Sequence, residues 1–92
     1  MTEPVVRAVA VADALVGDGG AVVLVESSSG HQVVRISPMG QAVRELAAVG
    51  VPMSRLTKEL VGRFGAADGD AATAVEALVA ELVSAGLVRV DD

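Results

Sequence analysis

Apolar residues follow two different periods along this chain, and the switch between them falls at Ser37. Before it they come in short β-branched runs; after it they recur every three or four residues, the spacing of one face of a helix. Val5-Val6-Arg7-Ala8-Val9-Ala10-Val11, bounded by Pro4, predicts a first strand, with Leu15-Val16 as its candidate continuation. Ala21 to Glu26 and His31 to Ile36 predict the second and third. The Ser27-Ser28-Ser29-Gly30 segment between them suits a hairpin of four or five loop residues. In the second strand Val22 and Leu24 face one way and Val23 and Val25 the other, so both faces are apolar. The short strand can be covered by helices on one side and by another strand or loop on the other. Alternatively, part of that surface, or a neighbouring strand edge, is covered only when a partner arrives.

Gly17-Asp18-Gly19-Gly20 separates two apolar runs and reads as a turn. It does not read as a phosphate-binding loop, because such glycines open a helix, whereas a strand follows here. Ser37 is suited to cap a helix and Pro38 to its first position, where a missing N–H costs nothing. Met39, Val43, Leu46 and Ala47 then mark an apolar stripe up to Gly50. Val51-Pro52 breaks the chain. A second helix carries Met53, Leu56, Leu60 and Phe64 on one side and ends at Gly65. The third, capped by Asp68 or Asp70, presents Ala72, Val75, Leu78, Val79, Leu82 and Val83 as a wide apolar face ending at Gly86. The predicted fold is α+β and winged-helix-like: a three-stranded antiparallel sheet followed by three helices, one domain over residues 1–92 with an ordered core over 5–90.

Composition sharpens this picture. Hydrophobic residues make up 52% of the 92, too many for a disordered tail, while Phe64 is the only aromatic, so the core is aliphatic. No apolar run approaches the roughly 20 residues that cross a bilayer, and Met1-Thr2-Glu3-Pro4 lacks the basic start of a signal peptide, which predicts a cytoplasmic protein without a membrane partner. The net charge of −5 opposes nucleic-acid binding. From Asp68 to Val88 every charged residue is acidic, so the third helix lacks the donors a major-groove helix needs.

The residues offer no catalytic set, and no cofactor or metal is expected. There is no cysteine. His31, the single histidine, stands at a strand start with no carboxylate motif beside it and reads as a solvated residue; Ser27, Ser28 and Ser29 lack a nucleophile elbow and read as turn residues. Glu76 and Glu81 differ by five positions and diverge on a helix.

Three stretches carry a resemblance. Gly20 to Val25, the loop ending in Gly30, and Val34-Arg35-Ile36-Ser37-Pro38-Met39-Gly40 resemble the strand, hairpin and "L-N-x-T-G" segment of PqqD-like proteins. Leu56 to Gly65 is similar to that family's "I-A-x-x-L-x-x-x-Y-G" helix, and Val75 to Val88 to its "V-x-x-F-L-x-x-L-x-x-x-G-L-V" ending, so the likeness covers residues 7–90. The family's third-strand aromatic pair is replaced here by Gln32-Val33 or Val33-Val34, and Asn-x-Thr-Gly by Ser37-Pro38-Met39-Gly40. Small aliphatics make shallower pockets.

PqqD-like proteins are peptide chaperones, or RiPP recognition elements, of natural product biosynthesis. They bind the leader of a ribosomally synthesised precursor peptide as an extra strand and present it to a maturation enzyme such as a radical SAM enzyme, a peptidase or a cyclase. The resemblance implies a non-enzymatic adaptor with its groove between His31 to Ile36 and the helix from Asp70 to Ala85. Its candidate binding residues are Gln32, Val33, Val34, Arg35, Ile36, Ala72, Val75 and Val79. Edge hydrogen bonds come from either Val33 and Arg35 or Gln32 and Val34, Val75 and Val79 form the groove wall, Leu78 and Leu82 point to the core, and Arg35 can meet an acidic leader side chain. Two other readings stand beside it: a winged-helix DNA-binding transcriptional regulator using Arg55, Lys58 and Arg63 against phosphates, and a homodimerisation module whose edge strands pair with each other.

Overall fold

The computed structural model describes residues 3–65 and 70–91. Its elements are β1 (Val5–Ala8), β2 (Asp13–Gly17), β3 (Gly20–Ser27), β4 (Gly30–Ile36), α1 (Pro38–Leu46), a 3₁₀ turn (Ala47–Val49), β5 (Val51–Pro52), α2 (Met53–Phe64), α3 (Ala71–Ser84) and β6 (Val88–Asp91). The mixed architecture is as expected, with a three-stranded antiparallel sheet in the order β2-β3-β4 and three helices. The long first strand is not. The chain breaks at residues 9–12, and its two halves enter different sheets: β2 joins the meander, while β1 becomes the centre of a second sheet, β5-β1-β6. Neither Val51-Pro52 nor Val88 to Asp91 was expected as strand; each is recruited by pairing with β1, at Val6↔Val51 and Val6↔Val90.

Arg44 of α1 holds the break. Its Nη2 donates to the Val9 carbonyl at 2.8 Å and its Nε to the Leu87 carbonyl at 3.4 Å, while the Val9 N–H donates to Leu87 at 3.0 Å. One guanidinium thereby satisfies two carbonyls at the end of the β1–β6 ladder, in a position where its stem is half-buried.

Both hairpins of the meander are tight. Asp18-Gly19 connects β2 to β3, and Ser28-Ser29 connects β3 to β4, a two-residue turn rather than the expected four or five. The sheet buries one face, through Ala21, Val23 and Ile36, whereas all of β2 is exposed. Helix α1 starts as expected, with the Ser37 hydroxyl accepting from the Gly40 N–H at 3.1 Å and Pro38 at its first position. Asp70 caps α3 by accepting from the Ala72 N–H at 3.0 Å and from the Thr73 hydroxyl; Asp68, the alternative cap, lies outside the described residues. Helix α2 has no side-chain cap of its own, and the Glu3 carboxylate accepts from the Ser54 N–H instead.

A single aliphatic core joins both sheets and the helices, centred on Val6, Val23, Val43, Leu56, Leu60 and Leu87. Phe64 contributes little, being 44% exposed. Two glycines close this core. A Cβ on Gly20, whose φ is +113°, would lie 2.0 Å from the Ile36 carbonyl oxygen, and one on Gly40 would lie 2.5 Å from Ile36 Cγ2.

Gly20→Ala is expected to cost about 2–4 kcal/mol, since both the backbone region and the backbone contact forbid a side chain. Gly62→Ala, in α2 with open space around its Cα, should instead stabilise by about 0.5–1 kcal/mol. Thermal melts of the two variants check both signs. Hydrogen bonding to Ser54 lowers the Glu3 pKa below its ordinary value of 4.5. The stability this carboxylate contributes is therefore present above that value and lost as pH falls through the folded pKa. Glu3→Gln should lower Tm at pH 7 and leave it unchanged at pH 2, in melts run at both.

Candidate peptide-binding groove

Strand β4 lies at the edge of its sheet, and no described strand pairs with its outer side. Register decides which of its backbone groups point outward. A two-residue turn closes on a pair that exchanges both hydrogen bonds, here Ser27 and Gly30, and such pairs alternate along an antiparallel ladder. Val25↔Gln32, Val23↔Val34 and Ala21↔Ile36 are then hydrogen-bonded pairs, and the N–H and C=O groups of His31, Val33 and Arg35 project from the edge. The other side of β3 agrees. Starting from Gly17↔Gly20, the same alternation makes Leu15↔Val22 and Asp13↔Leu24 its hydrogen-bonded pairs with β2, so the central strand serves its two neighbours with alternate residues. Of the two expected sets, geometry selects Val33 and Arg35 over Gln32 and Val34.

Beside this edge runs a groove of about 220 Å³ between β4 and α3, lined by Val34, Arg35, Ile36, Ser37, Gly40, Leu78, Glu81, Leu82, Ala85 and Leu87. Its place in the fold matches expectation; its helical wall does not. Val75 and Val79, expected to line it, are 5% and 2% exposed and belong to the core. The helix is rotated so that the i, i+3, i+4, i+7 row of Leu78, Glu81, Leu82 and Ala85 faces β4 instead. Leu82 was correctly placed in the core but also floors the groove; Leu78, assigned to the core, is half-buried on the wall. Ala72 lies elsewhere, exposed beside Glu3, Met53, Thr57 and Glu76 in a separate hollow.

On the strand side, Val34 and Ile36 turn into the groove, half-buried and buried. Val33 is 67% exposed and points to the opposite face of the sheet, so it offers the groove its backbone only. Gln32, expected among the binding residues, is exposed and does not line the groove. Arg35, with the same parity as Val33, likewise sends its side chain to the opposite face, beside Leu15 and Val22, and not toward a leader acid in the groove as expected, so Glu81 is the charged side chain on the groove's rim. The groove-lining residues missed from sequence are Ser37, Gly40, Leu78, Glu81, Ala85 and Leu87. The row from Leu78 to Ala85 was present in the spacing, but the row Val75, Val79, Leu82 was equally regular, and helix α3 is too evenly aliphatic for periodicity to choose between them.

His31 pairs only with Glu26, its Nε2 3.5 Å from Oε1, and both are exposed. Among the described residues no three metal-ligating side chains come together, and no helix is long and apolar enough to cross a membrane. On the exposed surface of α3, Glu76 and Glu81 are the charged residues. No family model matches this chain, and no curated protein or solved structure matches it.

The burial of Val79 changes what its substitution does. Val79→Asp should unfold the domain as Leu82→Asp does, because each strands a carboxylate in an aliphatic core at a cost of several kcal/mol, against a total of about 5–10 for so small a domain. Glu81→Gln should leave the melt unchanged. Circular dichroism melts of the three variants distinguish this helix rotation from one with Val79 in the groove.

Proposed function

We propose that this chain is a non-enzymatic peptide-binding module of the RiPP-recognition type, which captures the leader of a precursor peptide by strand addition on β4 and presents it to a modifying enzyme. The observation that carries this reading is the conjunction of an open strand edge with an apolar groove directly beside it. An added strand takes two kinds of contact: backbone hydrogen bonds along the edge, and pockets for alternate side chains on one face. His31, Val33 and Arg35 offer the first; Val34, Ile36, Leu78 and Leu82 offer the second.

Strand spacing of about 4.8 Å puts the incoming peptide between β4 and α3, so every second side chain of the peptide enters the groove. Aliphatic walls favour small or medium apolar side chains at those positions. Glu81 on the helical bank favours a peptide that carries a base toward the helix. The regulator reading has less support, since the third helix would bring Glu76 and Glu81 toward phosphates.

Proline substitution separates the edge from the ladder. Val33→Pro removes an outward N–H and leaves the pairing with β3 intact, which an edge strand tolerates, whereas Val34→Pro removes a ladder bond and should unfold the sheet. Peptides selected from a displayed random library against the folded domain provide the probe. The expected result is that their titration shifts the amides of residues 31–36 and of α3 around Leu78 and Ala85, and that Val33→Pro weakens binding at least about tenfold without lowering Tm by more than a few degrees. Shifts centred on Arg55, Lys58 and Arg63 with duplex DNA, and none with any peptide, would favour the regulator instead.

A further inference from the structure

The face of the β2-β3-β4 sheet turned away from the core carries an apolar patch that nothing among the described residues covers. Leu15 is 77% exposed, Val33 67% and Val22 39%, and Leu24 completes the cluster. Two shallow hollows dent it, one beside Leu15, Val22 and Arg35 and one beside Leu15, Leu24 and Val33. Strand β2 supplies part of this face and packs on β3 alone, with every residue exposed. The patch is separate from the groove, which opens on the other face of the sheet.

We propose that this chain forms an isologous homodimer by packing two copies of this outer face against each other with their strands crossed at right angles. The reason is the arrangement of charge around the patch. Cross-strand neighbours on this face form two ranks, Asp13–Leu24–Val33 and Leu15–Val22–Arg35. Its four corners are therefore Asp13 and Arg35 on one diagonal and Leu15 and Val33 on the other. With strands about 4.8 Å apart and alternate residues about 6.8 Å apart, the corners outline a rectangle of about 9.6 by 6.8 Å. Of the two in-plane two-fold axes at 45° to the strands, the one that runs near the Leu15–Val33 diagonal turns this rectangle nearly onto itself with the two charged corners exchanged, while the other would set Asp13 against Asp13 and Arg35 against Arg35. Asp13 of each copy then comes within about 2 Å, in the interface plane, of the position opposite Arg35 of the other, and Leu15 and Val33 each face their own counterpart.

Aligned packing does not achieve this. A two-fold axis along the strands sets Asp13 against Val33, and one across them sets Asp13 against Leu15, burying a carboxylate on an aliphatic side chain in either case. Right-angled packing is one of the two ways sheets stack face to face, and about the axis near the Leu15–Val33 diagonal it makes the patch complementary to itself. Neither Asp13 nor Arg35 has an ion-pair partner within the described chain. Four aliphatic side chains are a small interface beside the roughly 800 Å² per partner of a standard one, so the dissociation constant falls in the micromolar range. The edge of β4 lies in the sheet plane and remains open, and each dimer holds two peptide grooves on its outer sides. The dimer stands independently of the peptide reading.

Light scattering over a concentration series tests it: the mass should rise from 9.2 kDa toward twice that value. Leu15→Asp should hold the protein monomeric with an unchanged melt, since the side chain is exposed in the single copy. Asp13→Arg and Arg35→Asp should each weaken the dimer about tenfold by creating two like-charge contacts, and the double variant should restore it. The chain has no cysteine, so Leu15→Cys gives a single thiol beside the axis, which a short bismaleimide should join between copies; Val49→Cys, 88% exposed away from the patch, should not be joined. A wild type that stays monomeric at millimolar concentration overturns the proposal. So does a dimer that survives Leu15→Asp but is lost with Val33→Pro, because that places the contact at the β4 edge.

Discussion

The fold turns on one close approach, at Ile36. The last residue of β4 has the start of β3 against its carbonyl, at Gly20, and the first turn of α1 against its side chain, at Gly40. Neither contact admits a Cβ. Because the backbones meet there, the Ile36 side chain reaches the core while its neighbours Val34 and Leu82 open to the groove. Ser37 caps α1 immediately afterward, so the direction in which the helix leaves is set within two residues of the strand's end. The sheet edge, the groove floor and the helical layer are all referred to that corner.

An aliphatic core makes the corner matter more. Without buried aromatics, each core side chain contributes a small area, and the interior closes only if elements come close together. Groove and core share residues for the same reason: Ile36, Leu82 and Leu87 are buried, yet each also lines the groove. Arg44 performs the polar counterpart, joining the carbonyls of Val9, where the chain leaves β1, and Leu87, where it enters β6.

Local signals were legible in the sequence where a single residue type settles the matter. Ser37-Pro38 started α1, Asp70 started α3, and Gly50 and Gly65 ended their elements with φ of +86° and +81°. The division of the first strand was not, because Val5 to Val16 is apolar apart from Arg7 and Asp13, and the break at residues 9–12 meets Arg44, distant in sequence, at the Val9 carbonyl. Strands β5 and β6 are short runs whose strand geometry exists only through β1. For the site, the strand was legible and the helix face was not. The alternation in β4 becomes decisive once the turn length fixes the register, whereas α3 offers two overlapping rows at helical spacing that share Leu82, and the packing of three helices chooses between them.

The second sheet bears on how the chain folds. Ladder pairs in the meander close loops as short as Asp18-Gly19 and Ser28-Ser29, while Val5↔Asp91 and Ala8↔Val88 close loops of nearly the whole chain. Loop-closure entropy rises with length, so the meander can form early and β1–β6 pairing must wait for the helices to bring its strands together. By that ordering the open β4 edge belongs to the quickly formed half of the molecule, and the β1–β6 ladder closes after it.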